Sequence, residues 1–124
     1  MLTQHVMMKE VVTATEDALI QDCIELLFKR HIGSIIVVDD EQRCVGIFTE
    51  RDAIRVVAQK VPLNAPIKKV MTTNIVTVDE NATFEEAKKI ISLHGIRHLP
   101  VTNSDGKLVG LISVRNILNE FFGI

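Results

Sequence analysis

Two short stretches of this chain hold residue types that can do chemistry. Thr49-Glu-Arg-Asp52 sets a hydroxyl, a guanidinium and a carboxylate within one turn's reach. Ser113-Val-Arg-Asn116 repeats the hydroxyl and the guanidinium but ends on an amide. Arg97 and His98 add an adjacent basic pair. A hydroxyl followed three residues later by a carboxylate is also a helix-start signature close to a capping box. Both ligand binding and helix capping therefore stand as readings of Thr49 and Asp52. Intrinsic hydrolysis does not, because nothing in the sequence supplies a general base or a metal cluster to activate a nucleophile. The sequence has no P-loop, no GxGxxG and no nucleophile elbow. His5, His31, His94 and His98 are scattered, with no HExxH or Cys/His cluster, so a zinc site is not expected. The acidic runs "TED" and "DEN" read as helix starts. Cys23 and Cys44 form no CxxC pair and read as reduced thiols.

The elements that position these residues come in duplicate. Shifting the chain by 64 residues lays it on itself without a gap: Val6-Met7 meets Val70-Met71, Gly46 meets Gly110, and Arg51 meets Arg115. A constant offset sustained over about 55 residues marks an internal repeat, and two long copies suggest a pseudo-twofold pair rather than an array. In each copy a short β-rich piece ("EVVTA", "NIVTV") leads into an amphipathic helix. Ile20, Cys23 and Leu27 match Phe84, Ala87 and Ile91 at helical spacing. Cys23 then reads as a small core residue. Two apolar runs follow, "SIIVVD" and "CVGIFT" around "DEQR", then "HLPVTN" and "LVGLIS" around "SDGK". Their near-continuous hydrophobicity predicts strands buried on both faces. A last helix begins after Thr49 or Ser113, carrying Ile54 and Val57 in one copy and Leu118 and Phe121 in the other. The expected architecture is α/β (α+β), two β-α-β-β-α repeats in one compact module. Residues 1–60 and 68–124 form the repeats, and 61–67 form a linker in which Pro62 and Pro66 oppose helix. Gly46 and Gly110 predict close backbone packing within a strand. Leu26, Ile90 and Phe122 add apolar surface, for burial between the repeats or for self-association.

Composition narrows the function classes. Of 124 residues, 47% are hydrophobic, enough for one core. Net charge is −2, with neither Trp nor Tyr, so a basic, stacking nucleic-acid surface is not expected. No apolar run reaches the length of a membrane span, and the first residues lack a signal-peptide pattern. A cytoplasmic protein is the expectation.

The ordered pair "IGSIIVVDDEQRCVGIFTERD" and "GIRHLPVTNSDGKLVGLISVRN" resembles tandem CBS domains, the Bateman module, over essentially the whole chain. The resemblance implies a non-catalytic sensor, free-standing, binding an adenosine-containing ligand between its repeats. AMP, ADP or ATP is favoured, with S-adenosylmethionine or NAD as alternatives. It also implies a homodimer formed through helices and an unidentified effector protein. Carried over by position, a primary cleft joins Thr49, Arg51 and Asp52 to Ile75, Arg97, His98 and Pro100. There the carboxylate would accept from ribose hydroxyls, and the hydroxyl, the helix start and the basic pair would meet phosphate. A second cleft joins Ser113, Arg115 and Asn116 to Val11, Gly33 and Ser34. Its amide offers one acceptor oxygen and it lacks the basic pair, so weaker nucleotide binding is expected. The rival reading is a ligand-independent dimerisation or scaffold module.

Overall fold

The computed structural model describes residues 1–123. The chain forms β1 (Thr13–Ala14), α1 (Ile20–Arg30), β2 (Ser34–Val38), β3 (Cys44–Thr49), α2 (Glu50–Ala58), β4 (Val78–Asp79), α3 (Phe84–His94), β5 (His98–Thr102), β6 (Leu108–Ser113) and α4 (Val114–Phe122). The order is β-α-β-β-α, twice. Each copy contains a three-stranded sheet, β1-β2-β3 or β4-β5-β6, with the middle strand parallel to the first and antiparallel to the last. The β2 strand is buried at every residue, as its unbroken apolar run predicts.

The chain divides into two compact units, and their boundaries cross the repeat. One unit is Val12–Ile75; the other is Met1–Val11 together with Val76–Ile124. Each β-α-β-β-α copy thus packs with the segment that leads into the opposite copy. The same bonds recur 64 residues apart. In the Val12–Ile75 unit, Ile20 N–H donates to Ala65 O (3.0 Å), and Ile67 N–H to Ala18 O (2.7 Å). In the other unit, Phe84 N–H donates to Met1 O (2.9 Å), and Thr3 N–H to Ala82 O (2.8 Å). These bonds occupy donors that a helix start leaves without intrahelical partners. The linker is accordingly not featureless. After Pro66, residues Ile67–Lys69 make a 3-10 turn, and Ile67 is fully buried in the core with Ile20, Ile35 and Phe48.

The leading segments also extend the sheets. Thr72 and Ile47 exchange backbone hydrogen bonds (2.9 and 3.0 Å), as do Met8 and Leu111 (2.8 and 2.9 Å). Met71 then lies on Gly46, and Met7 on Gly110, closely enough that a Cβ at either glycine would overlap the thioether. The expected close packing is therefore present, and the Val-Met pairs of the repeat provide it.

The copies differ where proline intervenes. In β2, Ile36 N–H donates to Val12 O (3.2 Å). Its counterpart Pro100 has no N–H. Pairing of β4 with β5 begins at Val78↔Val101, whereas β1 meets β2 from Thr13↔Ile36. The register is the same in both copies, but the pairing of the second starts one residue later for that reason.

The last helices turn the apolar residues noted in sequence outward. Ile54 and Val57 are exposed, at 72% and 61%, while Val56 is fully buried and Ala53 packs beside it. In α4, Leu118 and Phe121 are exposed and Ile117 packs on the core. In each helix the core-facing residues directly precede exposed apolar ones: Ala53 and Val56 in α2, Ile117 in α4. Leu26 and Ile90 pack partly against the core of their own unit.

Candidate functional site

Each unit places its hydroxyl at a strand end that is also a helix start. Thr49 ends β3 and caps α2; Ser113 ends β6 and caps α4. Antiparallel pairing sets Ser34 opposite Thr49 and His98 opposite Ser113. The carbonyls of Gly33 and Arg97 accept the first helical N–H groups, from Glu50 (3.0 Å) and Val114 (2.9 Å). Within one unit, therefore, the Thr49 turn that carries Asp52 starts beside Gly33 and Ser34. Within the other, the Ser113 turn that carries Asn116 starts beside Arg97 and His98. Ile75 closes the first unit, and Val11 belongs to the second. Arg51, Arg97 and Arg115 are exposed, and Pro100 is fully buried.

The capping reading is realised in full at Thr49. Its Oγ1 accepts from Asp52 N–H (3.3 Å), while Asp52 Oδ2 accepts from Thr49 N–H (2.9 Å) and from Thr49 Oγ1–H (3.1 Å). Asp52 Oδ1 faces Arg55 Nη2 at 3.4 Å. The same Nη2 donates to Val70 O at 2.8 Å. Ser113 caps only one way. Its Oγ accepts from Asn116 N–H (3.0 Å), but the Asn116 amide turns aside and donates from Nδ2 to Val6 O (3.0 Å).

Val6 and Val70 are equivalent residues, 64 apart. Both carbonyls are held by the helix start, but by different chemistry. An amide can donate directly; a carboxylate cannot, so the Asp52 copy reaches the carbonyl through Arg55. Arg55 was not singled out from sequence. The signal available was its (i, i+3) spacing from Asp52 on a helix.

Ser34 is 5% exposed, and its buried Oγ has no hydrogen-bond partner among the described residues. A buried polar atom of this kind calls for a specific explanation. The thiols of Cys23 and Cys44 are unpaired, and burial, helped by Asp22 and Asp39 respectively, pushes each from 9.0 up to about 11. They are poor nucleophiles at neutral pH. His31 takes the left-handed position that ends α1, and His94 is the last residue of α3. Among the described residues, no three His, Cys, Asp or Glu side chains group to hold a metal, and no helix is long and apolar enough to cross a membrane.

Two pseudo-symmetric units, each presenting a hydroxyl-capped helix beside a strand end, define a tandem-repeat module of mixed α/β type. The model of the CBS domain matches residues 4–59 and again 67–123, and the chain belongs to that family. It superposes with a TM-score of 0.88 on the CBS domain protein PAE2072 from Pyrobaculum aerophilum complexed with AMP, at 29% identity over 100% of both chains. The CBS domain pair of protein MJ0100, in complex with 5'-methylthioadenosine and S-adenosyl-L-methionine, gives a TM-score of 0.89 at 26% identity, covering 99% of this chain and 97% of that one. Among curated proteins, it is 33% identical to a 17.7 kDa protein of Acidianus ambivalens over 77% of this chain and 58% of the other. The inosine-5'-monophosphate dehydrogenase of Aquifex aeolicus is 31% identical over 88% of this chain, which spans 22% of the enzyme. The chain thus spans a little over half of one curated relative and about a fifth of the other.

Proposed function

We propose that this protein is a non-catalytic regulatory module that binds an adenosine-containing ligand and passes its ligand state to a partner protein in the cytoplasm. AMP, ADP or ATP is the favoured class, with S-adenosylmethionine and NAD as alternatives. The observation that carries the reading is the Asp52 carboxylate. Its Oδ2 is committed to Thr49, while Oδ1 meets only a long contact to Arg55 and retains capacity for a ribose diol. Thr49 and the start of α2 offer hydroxyl and N–H groups to phosphate. We assign Ile75, Arg97, His98 and Pro100 to the same ligand, with Arg51 beside it and the basic pair on the phosphates. The weaker half has Ser113, Arg115 and Asn116, with Val11, Gly33 and Ser34. The orphan hydroxyl of Ser34 supports ligand contact there. The AMP complex of the similar Pyrobaculum protein supports the ligand class.

A thermal-shift panel of AMP, ADP, ATP, S-adenosylmethionine and NADH tests this. A ligand at a hundred times its Kd stabilises the folded state by about 2.7 kcal/mol, a Tm rise on the order of 10 °C for a chain this size. Asp52→Ala removes most of that rise and Asn116→Ala removes less. Equal losses refute the inequality of the two halves. If no ligand raises Tm at millimolar concentration, the sensor reading fails and the scaffold reading replaces it.

A specific feature favours self-association under either reading. Phe28, Ile54, Val57, Leu93, Phe121 and Phe122 are exposed helix residues. Beside α3 and α4 lies an apolar groove of about 620 Å³, where the Phe84 and Phe121 rings stack at 5.4 Å. We propose a homodimer through these helices. Sedimentation equilibrium of Ile54→Glu and Phe121→Glu checks it; a wild-type monomer at tens of micromolar overturns it.

A further inference from the structure

We infer that Arg55 is a positioning residue that transmits occupancy of Asp52 to the Val70–Thr72 segment; the ligand part of this rests on the nucleotide reading above. Three observations combine. Arg55 Nη2 is shared between Val70 O at 2.8 Å and Asp52 Oδ1 at 3.4 Å. The second distance exceeds the 2.7–2.9 Å of a strong charge-assisted bond, so the carboxylate steers the guanidinium without fixing it. Val70–Thr72 is the segment that lays Met71 on Gly46 and pairs with Ile47 of β3, two residues before the strand ends at Thr49. The Asn116 copy has no such intermediary, because its amide is bonded directly to Val6 O.

The consequence is a directional link. Hydroxyl donors on Oδ1 compete with Arg55 for the carboxylate. The guanidinium then redistributes between Val70 O and Gln59 Oε1, which it meets at 3.5 Å. The held segment senses the change through one carbonyl. Val6–Met8, held by a fixed amide, does not.

Hydrogen exchange on the full chain tests the link, with AMP as the probe. Without ligand, Asp52→Ala and Arg55→Met each raise exchange at Val70, Met71 and Thr72 about fivefold, the effect of losing one hydrogen bond's stabilisation. The double variant exceeds neither, and Val6–Met8 is unmoved. Arg55→Met retains the apolar stem, so its fold is preserved. With AMP, wild type changes its protection at Val70–Thr72, whereas Arg55→Met still binds AMP and shows no change there. No effect of Arg55→Met on the segment, or additive effects in the double variant, overturns the link. An AMP-dependent change that survives Arg55→Met overturns the transmission. AMP that fails to bind wild type overturns the nucleotide reading and the ligand half of the inference, while the ligand-free comparison still decides the Asp52–Arg55–Val70 link.

Discussion

The two helix starts solve one structural problem with different chemistry. Both cap a helix with a hydroxyl, and both hold the carbonyl of a valine in the segment packed on the sheet. At Asn116 the amide does the second job alone and gives up the reciprocal cap. At Asp52 the carboxylate keeps the reciprocal cap and delegates the carbonyl to Arg55. Arg55 is half-buried like Asn116, but its Nη2 is already divided between two acceptors, so exchanging one for the other costs less than breaking the single direct amide–carbonyl bond of Asn116, which is worth about 1 kcal/mol. The Asp52 turn is therefore adjustable and the Asn116 turn is fixed. Two copies with matching sequence pattern thus hold the same carbonyl through a shared guanidinium in one and a direct amide in the other.

The largest expected effects test whether the leading segments are truly equivalent. Ile67 and Thr3 occupy the same repeat position, and both are fully buried. Ile67 fills the core with aliphatic volume, and Ile67→Ala is expected to cost about 3 kcal/mol. Thr3 contributes a long hydroxyl contact to Thr83 O, at 3.4 Å. Thr3→Ala is expected to cost about 1 kcal/mol or less. Urea unfolding of both variants measures the difference, and equal losses would mean that the exchanged segments are anchored by something other than their burial.

The strand glycines sharpen the comparison at the next level. The three atoms nearest a Cβ at Gly46 all belong to the flexible Met71 side chain, while one at Gly110 would also meet the Met8 carbonyl oxygen at 2.9 Å. A thioether can rotate away, but that carbonyl is tied to Leu111 by the bridge. Gly110→Ala is expected to cost about 2–3 kcal/mol and Gly46→Ala nearer 1 kcal/mol. The reverse order in denaturant midpoints would show that the Met8–Leu111 bridge yields more readily than Met71 repacks.

Much of this fold was legible in the residues. β3 and β6 coincide with the apolar runs "CVGIFT" and "LVGLIS", because a buried strand bounded by a polar turn and a capping hydroxyl leaves little freedom in its ends. The helices α1 and α3 begin where Ile20 and Phe84 open their stripes. Other features were hidden for physical reasons. Nothing local in Val6-Met7 or Val70-Met71 says which sheet will receive it, since either glycine would accept either methionine. The apolar stripe of α2 could be read as Ile54 with Val57 or as Ala53 with Val56, and only packing chooses. Of the candidate site, the hydroxyl caps and the Asp/Asn difference were readable. The role of Arg55 was not, because its partner Val70 lies 15 residues away. The pairing of Thr49 and Asp52 with Arg97 and His98 remains our proposal.

The smallest effect concerns the turns between the paired strands. Asp39 Oδ1 accepts from Glu41 and Arg43 N–H groups, and Asn103 Oδ1 accepts from Asp105 and Lys107, so both copies build the same side-chain-closed turn. Each turn needs one residue in the left-handed region. The second copy uses Gly106 at φ 79°, and the first uses Gln42 at φ 64°. A Cβ at Gly106 would meet nothing within 4 Å, so a side chain there is opposed by backbone conformation alone. Gly106→Ala should then cost about 1 kcal/mol. Gln42→Gly should gain less than that, about 0.5 kcal/mol, because glycine relieves the left-handed strain but enlarges the freedom of the unfolded chain. Thermal unfolding resolves such changes as opposite Tm shifts of a few degrees. If Gln42→Gly destabilises instead, the side chain of Gln42 must contribute contacts that its turn geometry does not require, and the two turns would be alike in backbone only.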